Sequence, residues 1–313
     1  MKEVRTALLA LSSIFPMFVI LWWTDSLDHE QVLYERFRER RSAVVEQRDV
    51  ERLAYIADRL PNLEEVVIQL KESHPLTQSL AQLQQVNALK LVGEGGFNYL
   101  GVLAHMPQLQ ELSIDNVQSY QWEAFIGALK GLKTLYINNC QLYAIPPSLE
   151  QFTELRLLSL ADNLLKESSL HAIDWNRLSA LKYLNVSENG LLALPNGLFQ
   201  HPTLIYLDAS HNRIAHINPD TAVANVPLEV LRLEWNLLKA LPTALDSCRR
   251  LRYLNAARNQ LDTLAEIRSW DQLEDLRLDN NQLTQWPVFG TDMARLHTLS
   301  LKDNALTQSP SSI

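Results

Sequence analysis

The chain has 313 residues, 47% hydrophobic and 20% charged, which supplies a long core and excludes a largely disordered polymer. Its formal net charge of −8 argues against a general nucleic-acid or anionic-lipid surface. Two cysteines, Cys140 and Cys248, say little about the redox compartment.

Residues 1–5 form a short tail carrying Lys2 and Arg5, and from Ala7 to Trp23 the chain is uninterrupted by charge. A helix over that run covers about 25 Å, within the tolerated range for a hydrocarbon core near 30 Å. Residues 6–24 are therefore expected to form a transmembrane anchor, kinked at Pro16 and ending in Trp22 and Trp23 at the interface. The bulky end Trp22-Trp23-Thr24-Asp25 lacks the small residues a cleavage site wants, which favours an uncleaved signal-anchor over a leader that frees the chain. Orientation carries two opposed signals. Lys2 and Arg5 place the N-terminus inside and export the remainder, whereas Arg36, Arg38, Arg40 and Arg41 favour a cytoplasm-facing scaffold tethered to the membrane. The exported arrangement is the expectation adopted.

Residues 25–60 have helical spacing, with Leu33 and Phe37 in one part and Val50, Leu53, Ala57 and Leu60 in the other. A juxtamembrane helical stalk is expected first, then an N-terminal helical cap that packs on the open edge of the first coil beyond residue 60.

Residues 61–313 are periodic. Leu63, Val86, Leu109, Leu132, Leu155, Leu181, Leu204, Leu228, Leu251, Leu273 and Leu296 recur at intervals of 23, 23, 23, 23, 26, 23, 24, 23, 22 and 23 residues. Each opens a pattern such as Leu155-x-x-Leu158-x-Leu160-x-x-Asn163-x-Leu165. Alternating apolar positions, as in Leu132-Lys-Thr-Leu135-Tyr-Ile137, describe a short strand with one buried face. One repeat cannot bury its own leucines, so about eleven must stack at the parallel-strand spacing of about 4.8 Å.

Asn163, Asn189, Asn212, Asn236, Asn259, Asn281 and Asn304 share one register, where the chain leaves the strand and turns. A buried amide there has two donors and one acceptor for backbone groups that the turn would leave unpaired, so the seven are expected to form a ladder. Upstream the register holds Lys71, Glu94, Val117 and Cys140. Cysteine substitutes as a small hydrophobe. Lys71 and Glu94 cannot be buried unpaired, so the first two coils are expected to open outward or to be irregular around Gly93-Glu94-Gly95-Gly96. Cys140 and Cys248 lie too many coils apart for a disulfide.

The return path has its own signature: Leu142-x-x-Ile145-Pro146, Leu191-x-x-Leu194-Pro195, Leu238-x-x-Leu241-Pro242 and Leu283-x-x-Trp286-Pro287. With the strand pattern, these segments make residues 60–310 resemble the leucine-rich repeat family, specifically its 23-residue kind. The resemblance implies an α/β fold: a curved solenoid with a parallel sheet on its concave side. It also implies use in binding proteins, sometimes peptides or glycans, and very rarely in catalysis. After Leu301 the chain runs on to Pro310 as though a twelfth coil had begun, which leaves dimerisation through that edge, a bound partner or fraying open.

The concave side chains do no core packing and form a grid. Its first row includes Tyr183, Tyr206 and Tyr253, its second Tyr136, Asp208, Arg232 and Arg277, its third Glu234, with Trp235 and Arg258 at the strand exits. Tyrosine, tryptophan and arginine most often anchor protein interfaces, so these ten residues are the candidate site for a protein or peptide partner. Tyrosine also has high β-propensity, and Asp208 with Arg232 also fits a plain cross-strand pair. A hydrolase built on Asp208, Ser210 and His211 lacks a sharp turn, an oxyanion donor pair and an enclosed pocket. No catalytic group, cofactor or metal is expected; His211 and His216 have a spacing that suits neither helix nor strand ligation.

Overall fold

A computed structural model describes residues 40–71, 76–96, 100–217, 226–241, 245, 248–264, 270–289 and 293–307. The tail at 1–5, the apolar span at 6–24 and the stalk as far as residue 39 lie outside them. Among the described residues no helix is long and apolar enough to cross a membrane. The chain divides after Leu135 into two compact units.

The first unit carries β1 (Ser42–Glu46), α1 (Val50–Tyr55), β2 (Glu65–Leu70), β3 (Ala88–Gly93), β4 (Glu111–Asp115) and α2 (Trp122–Ile126). Its four strands pair in parallel and in chain order. The helical cap expected before residue 61 is replaced by a full coil. Ser42–Glu46 is a strand in register with Glu65–Gln69, and α1 belongs to the return path that leads from β1 to β2. The apolar spacing was sound but its partner was not. Val50, Leu53, Ala57 and Leu60 are buried in the coil's own interior.

Of the two expectations for the coils of Lys71 and Glu94, outward opening or irregularity, the described residues show regular strands with both side chains turned out to solvent. β2 and β3 pair over six consecutive residues. Lys71 and Glu94 are exposed, and Lys71 Nζ donates to Glu46 Oε1 at 2.9 Å. Gly93 permits the regular strand, since a Cβ there would stand 2.4 Å from the Asn116 carbonyl oxygen.

β5 (Thr134–Asn138) straddles the division. In the second unit follow β6 (Leu157–Ser159), α3 (Glu167–His171), β7 (Tyr183–Asn185), β8 (Tyr206–Asp208), β9 (Val230–Arg232), β10 (Tyr253–Asn255), β11 (Asp275–Arg277) and β12 (Thr298–Ser300). From β6 to β12 each strand pairs in parallel with the next. Leu158, Leu184, Leu207, Leu231, Leu254, Leu276 and Leu299 therefore form one column along the register, and all but the last are buried. Burying a leucine contributes about 1.5–3 kcal/mol, so the column alone favours stacking strongly over separate coils. Opposite the strands, Phe152, Leu178, His201, Cys248 and Trp270 occupy a common register and fill the return side. Trp270 Nε1 donates to the Leu245 carbonyl at 2.8 Å, so its polar edge is satisfied as well as its ring.

The seven asparagines tie each coil to the one before. Asn212 Nδ2 donates to Val186 O of the preceding coil at 3.0 Å and to Ala209 O of its own at 3.2 Å, and its Oδ1 accepts from Leu191 N at 3.1 Å. Asn163, Asn189, Asn236, Asn259, Asn281 and Asn304 repeat this pattern with N···O distances between 2.7 and 3.2 Å. In the Cys140 coil the sulfur donates to Asn138 O at 3.0 Å, while Cys140 N and Leu142 N both reach Asn163 Oδ1. The residue just before the ladder position is left-handed in every coil from Asn116 to Asp303.

Candidate functional site

The face of the second unit's sheet turned away from its core displays the predicted residues, and the register decides which of them meet. Tyr183, Tyr206, Val230 and Tyr253 are direct neighbours on β7 to β10, as are Asn185, Asp208, Arg232 and Asn255. The Tyr183 and Tyr206 rings are 6.2 Å apart and tilted by 42°. Tyr136 stands apart from this group on β5, with the coil of Leu157 and Ser159 between.

Asp208 is 5% exposed and fully engaged. Its Oδ1 accepts from Ser210 N at 3.0 Å and from Ser210 Oγ at 2.6 Å, and its Oδ2 lies 3.4 Å from an Arg232 nitrogen and a long 3.3 Å from the Tyr206 hydroxyl. Asn185 and Asn255 likewise accept from the backbone N–H two residues on, which explains the preference for a short amide or carboxylate in this row. Arg232 departs from that rule. Its Nε donates to Glu234 Oε1 at 2.9 Å, the same oxygen accepts from a terminal guanidinium nitrogen, and Glu234 Oε2 is buried with no hydrogen-bond partner among the described residues. The Glu234 hydrogen bond and the Asp208 charge raise the Arg232 pKa further above its ordinary value. Burial, then the Asp208 charge, raises that of Tyr206.

Arg277 is held differently. Its guanidinium makes two bonds to Asp275 at 3.0 and 2.9 Å and lies 5.5 Å from the Tyr253 ring centroid.

At the strand exits a third arrangement stands apart from these ion pairs. The His211 ring stacks on Trp235 at 5.4 Å with 21° between planes, and the Arg258 guanidinium carbon lies 4.2 Å from the indole centroid. All three are exposed, Trp235 by 48%, and all three have positive φ, between 53° and 57°. That conformation costs about 1–2 kcal/mol for most L-residues and is tolerated best by asparagine and aspartate. The same row holds Asn116, Asn139, Asp162, Glu188, Asn280 and Asp303. The alignment of His211 with Trp235 and Arg258, each immediately before a ladder asparagine, was legible in the sequence, but only as a row rather than as single residues.

The geometry also weighs against the hydrolytic arrangement set aside from the sequence. Ser210 is buried and donates to Asp208, not to a histidine, while His211 is spent on the Trp235 stack. Among the described residues no group of histidine, cysteine, aspartate and glutamate is placed to hold a metal ion. Cys140 and Cys248 are buried and not disulfide-bonded.

The comparisons agree with the coil geometry. Residues 131–152 and 179–261 match family models of the leucine-rich repeat, which places these repeats in that family. Chicken (Gallus gallus) lumican is 32% identical over 183 residues, 57% of this chain and 52% of lumican, so the chain spans about half the length of that curated relative. A leucine-rich repeat protein of Leptospira interrogans has a similar structure, with a TM-score of 0.74 at 23% identity over 92% of this chain and 73% of that one. The Arabidopsis receptor kinase HAESA, solved in complex with the peptide hormone IDA and the co-receptor SERK1, gives 0.63 at 22% identity over 85% and 46%. At those identities the two structures speak for the fold alone.

Proposed function

We propose that this chain is a non-enzymatic binding module that recognises a protein or peptide on the open sheet face of its second unit. The observation that carries the reading is the concentration of Tyr183, Tyr206, Tyr253, Trp235, Arg232 and Arg277 on adjacent strands that already satisfy their own backbone. Aromatic and arginine side chains in this density are what interface centres use. HAESA, solved with a peptide hormone and a co-receptor, is a fold neighbour that binds such partners. The membrane anchor at residues 6–24 and export of the repeats complete the proposal, as does self-association through β12.

Arg232 is a poor probe of this reading, because its removal would leave the buried Asp208 and Glu234 carboxylates without their cation. Tyr183→Ser with Tyr253→Ser is the better one, since neither ring belongs to the core. Full-length protein should capture its partner from native membranes, and the double variant should lose that capture with an unchanged melting temperature. Undiminished capture removes the sheet face from consideration. C-terminal reporter fusions, one active only after export and one only in the cytosol, test the topology, and activity of the cytosolic one would favour the membrane-tethered scaffold instead.

A further inference from the structure

We propose that Arg258 is the contact for an aspartate or glutamate side chain of the partner, taken in a two-pronged hydrogen bond by a guanidinium that Trp235 holds in place. The inference rests on the reading of the sheet face as a binding surface and names the chemistry that one part of it selects.

The arginines around it are already committed. Arg232 is bonded to Glu234 and Asp208, Arg252 to Glu274 with Nε at 3.0 Å and a terminal nitrogen at 2.8 Å, and Arg277 to Asp275. Arg258 has no carboxylate partner among the described residues; its one recorded side-chain contact is the Trp235 ring. Lying over the indole leaves its N–H groups without a carboxylate, and a guanidinium meets a carboxylate with two parallel bonds. The carboxylates on the flanking coils have hydrogen-bond partners other than Arg258. Glu234 is buried against Arg232, and Asp279 Oδ1 accepts from Ser300 Oγ and from Lys302 N at 2.9 Å. In its own row the flanking residues are Trp235 and Asn280, and the next acidic residue, Asp303, is two coils away. That is about 10 Å at the strand spacing, beyond a Debye length of about 8 Å.

The backbone narrows the ligand. His211 N, Trp235 N and Arg258 N donate to Glu234 O, Ala257 O and Asp279 O at 2.9, 3.0 and 2.7 Å, so no cluster of open N–H groups is available to wrap a phosphate or a chain terminus. What remains is a planar fork on an exposed shelf, matched to a carboxylate on a side chain that reaches over the rim. Four successive coils, from Glu188 to Arg258, forgo the asparagine or aspartate that suits a left-handed backbone, and in the last three the side chains His211, Trp235 and Arg258 lie against one another, a placement that points to use rather than folding.

Fluorescence anisotropy of the full chain with three labelled decapeptides tests this: alternating Glu-Tyr with both termini blocked, alternating Gln-Tyr blocked, and alternating Gln-Tyr with a free C-terminus. The Glu-Tyr probe should bind about tenfold more tightly than either of the others. Arg258→Gln should bring it down to their level, Arg258→Lys should recover only part, and Arg252→Gln should change nothing. Equal binding of all three, binding of none, or an unchanged Arg258→Gln variant overturns the proposal, and preference for the free C-terminus replaces it with terminal-carboxylate recognition. Tyr183→Ser with Tyr253→Ser should weaken every probe alike, so loss of that effect strikes the sheet-face reading while the Arg258 comparison still stands or falls by itself.

Discussion

Asn212 makes four bonds with one amide: its oxygen is the acceptor for Leu191 N, and its nitrogen donates to Val186 O, Ala209 O and Ser210 O, which also accept from Asn189, Asn236 and Glu188 N respectively. Asn212→Ala should therefore cost about 3 kcal/mol, from stranding the buried Leu191 N–H and taking one donor from each of three buried carbonyls, whereas Asn304→Ala in the half-exposed coil of β12 should cost about 1. Urea denaturation of the pair decides, and equal losses would mean that the ladder is not what holds the turns. His201 is a second residue with a measurable signature. It is fully buried, its Nε2 lies 3.1 Å from Trp175 O, and its Nδ1 accepts from Thr203 N at 3.3 Å, which uses both nitrogens of the neutral ring. Burial lowers its pKa below the ordinary 6.5, so between that value and the folded one the unfolded chain binds the extra proton. The stability it contributes is complete above 6.5 and is lost as pH falls through the folded value. Replacing it by leucine, the residue at this register in the Leu178 coil, should flatten the fall in urea midpoint between pH 8 and pH 5. An unaltered slope would show that His201 is not the sensor. The ladder was legible because asparagine recurs at one register, whereas His201 was not, since the return-side register that buries it carries phenylalanine, leucine, cysteine and tryptophan in other coils, so no single residue type marks it.

At the scale of the coil, the strands are five or six residues long from β1 to β5 and three from β6 onward. The change falls where asparagine enters the ladder, because an amide that reaches back to the previous coil turns the chain inward sooner than lysine, glutamate, valine or cysteine can. β1 escaped the sequence reading for a related reason. Its coil has Arg40 where a leucine should open the pattern, although stepping 23 residues back from Leu63 lands on it and sets Ala43 and Val45 at the inward positions. The eleven later strands all start two residues after the predicted opening position, since there the leucines themselves set the register. Leu231→Ala should cost about 3–4 kcal/mol and Leu299→Ala less than half as much, because a cavity in the middle of the column cannot collapse and the half-exposed terminal one can. Glu188, left-handed at φ 53° without stacking on a ring, should gain up to about 1 kcal/mol as Glu188→Asn, read as a higher melting temperature.

For the molecule as a whole, the hydrogen bonds among the described residues of the second unit stay within a coil or join successive coils, so damage should stay local. Hydrogen exchange on Leu231→Ala should quicken in β8 to β10 and leave the amides of β6 at their original protection; uniform loss across the unit would mean that the coils unfold together. How much of the candidate site was legible divides in the same way. Which side chains share the open face was readable, because alternation along a strand is a local property. Which of them are spent on one another was not, because the pairing of Asp208, Arg232 and Glu234 and the stacking of His211 on Trp235 need the sideways alignment of neighbouring coils.

The asparagine bonds also bear on how such a chain changes its length. Each amide presents to the preceding coil the same donors and acceptor that the following coil presents to it, so the seams are interchangeable. Excising residues 204–227, from one opening leucine to the residue before the next, brings Asn236 against the seam that Asn212 occupied. The shortened protein should still fold cooperatively, and growth or loss by whole coils is thereby open to simple gene duplication and deletion.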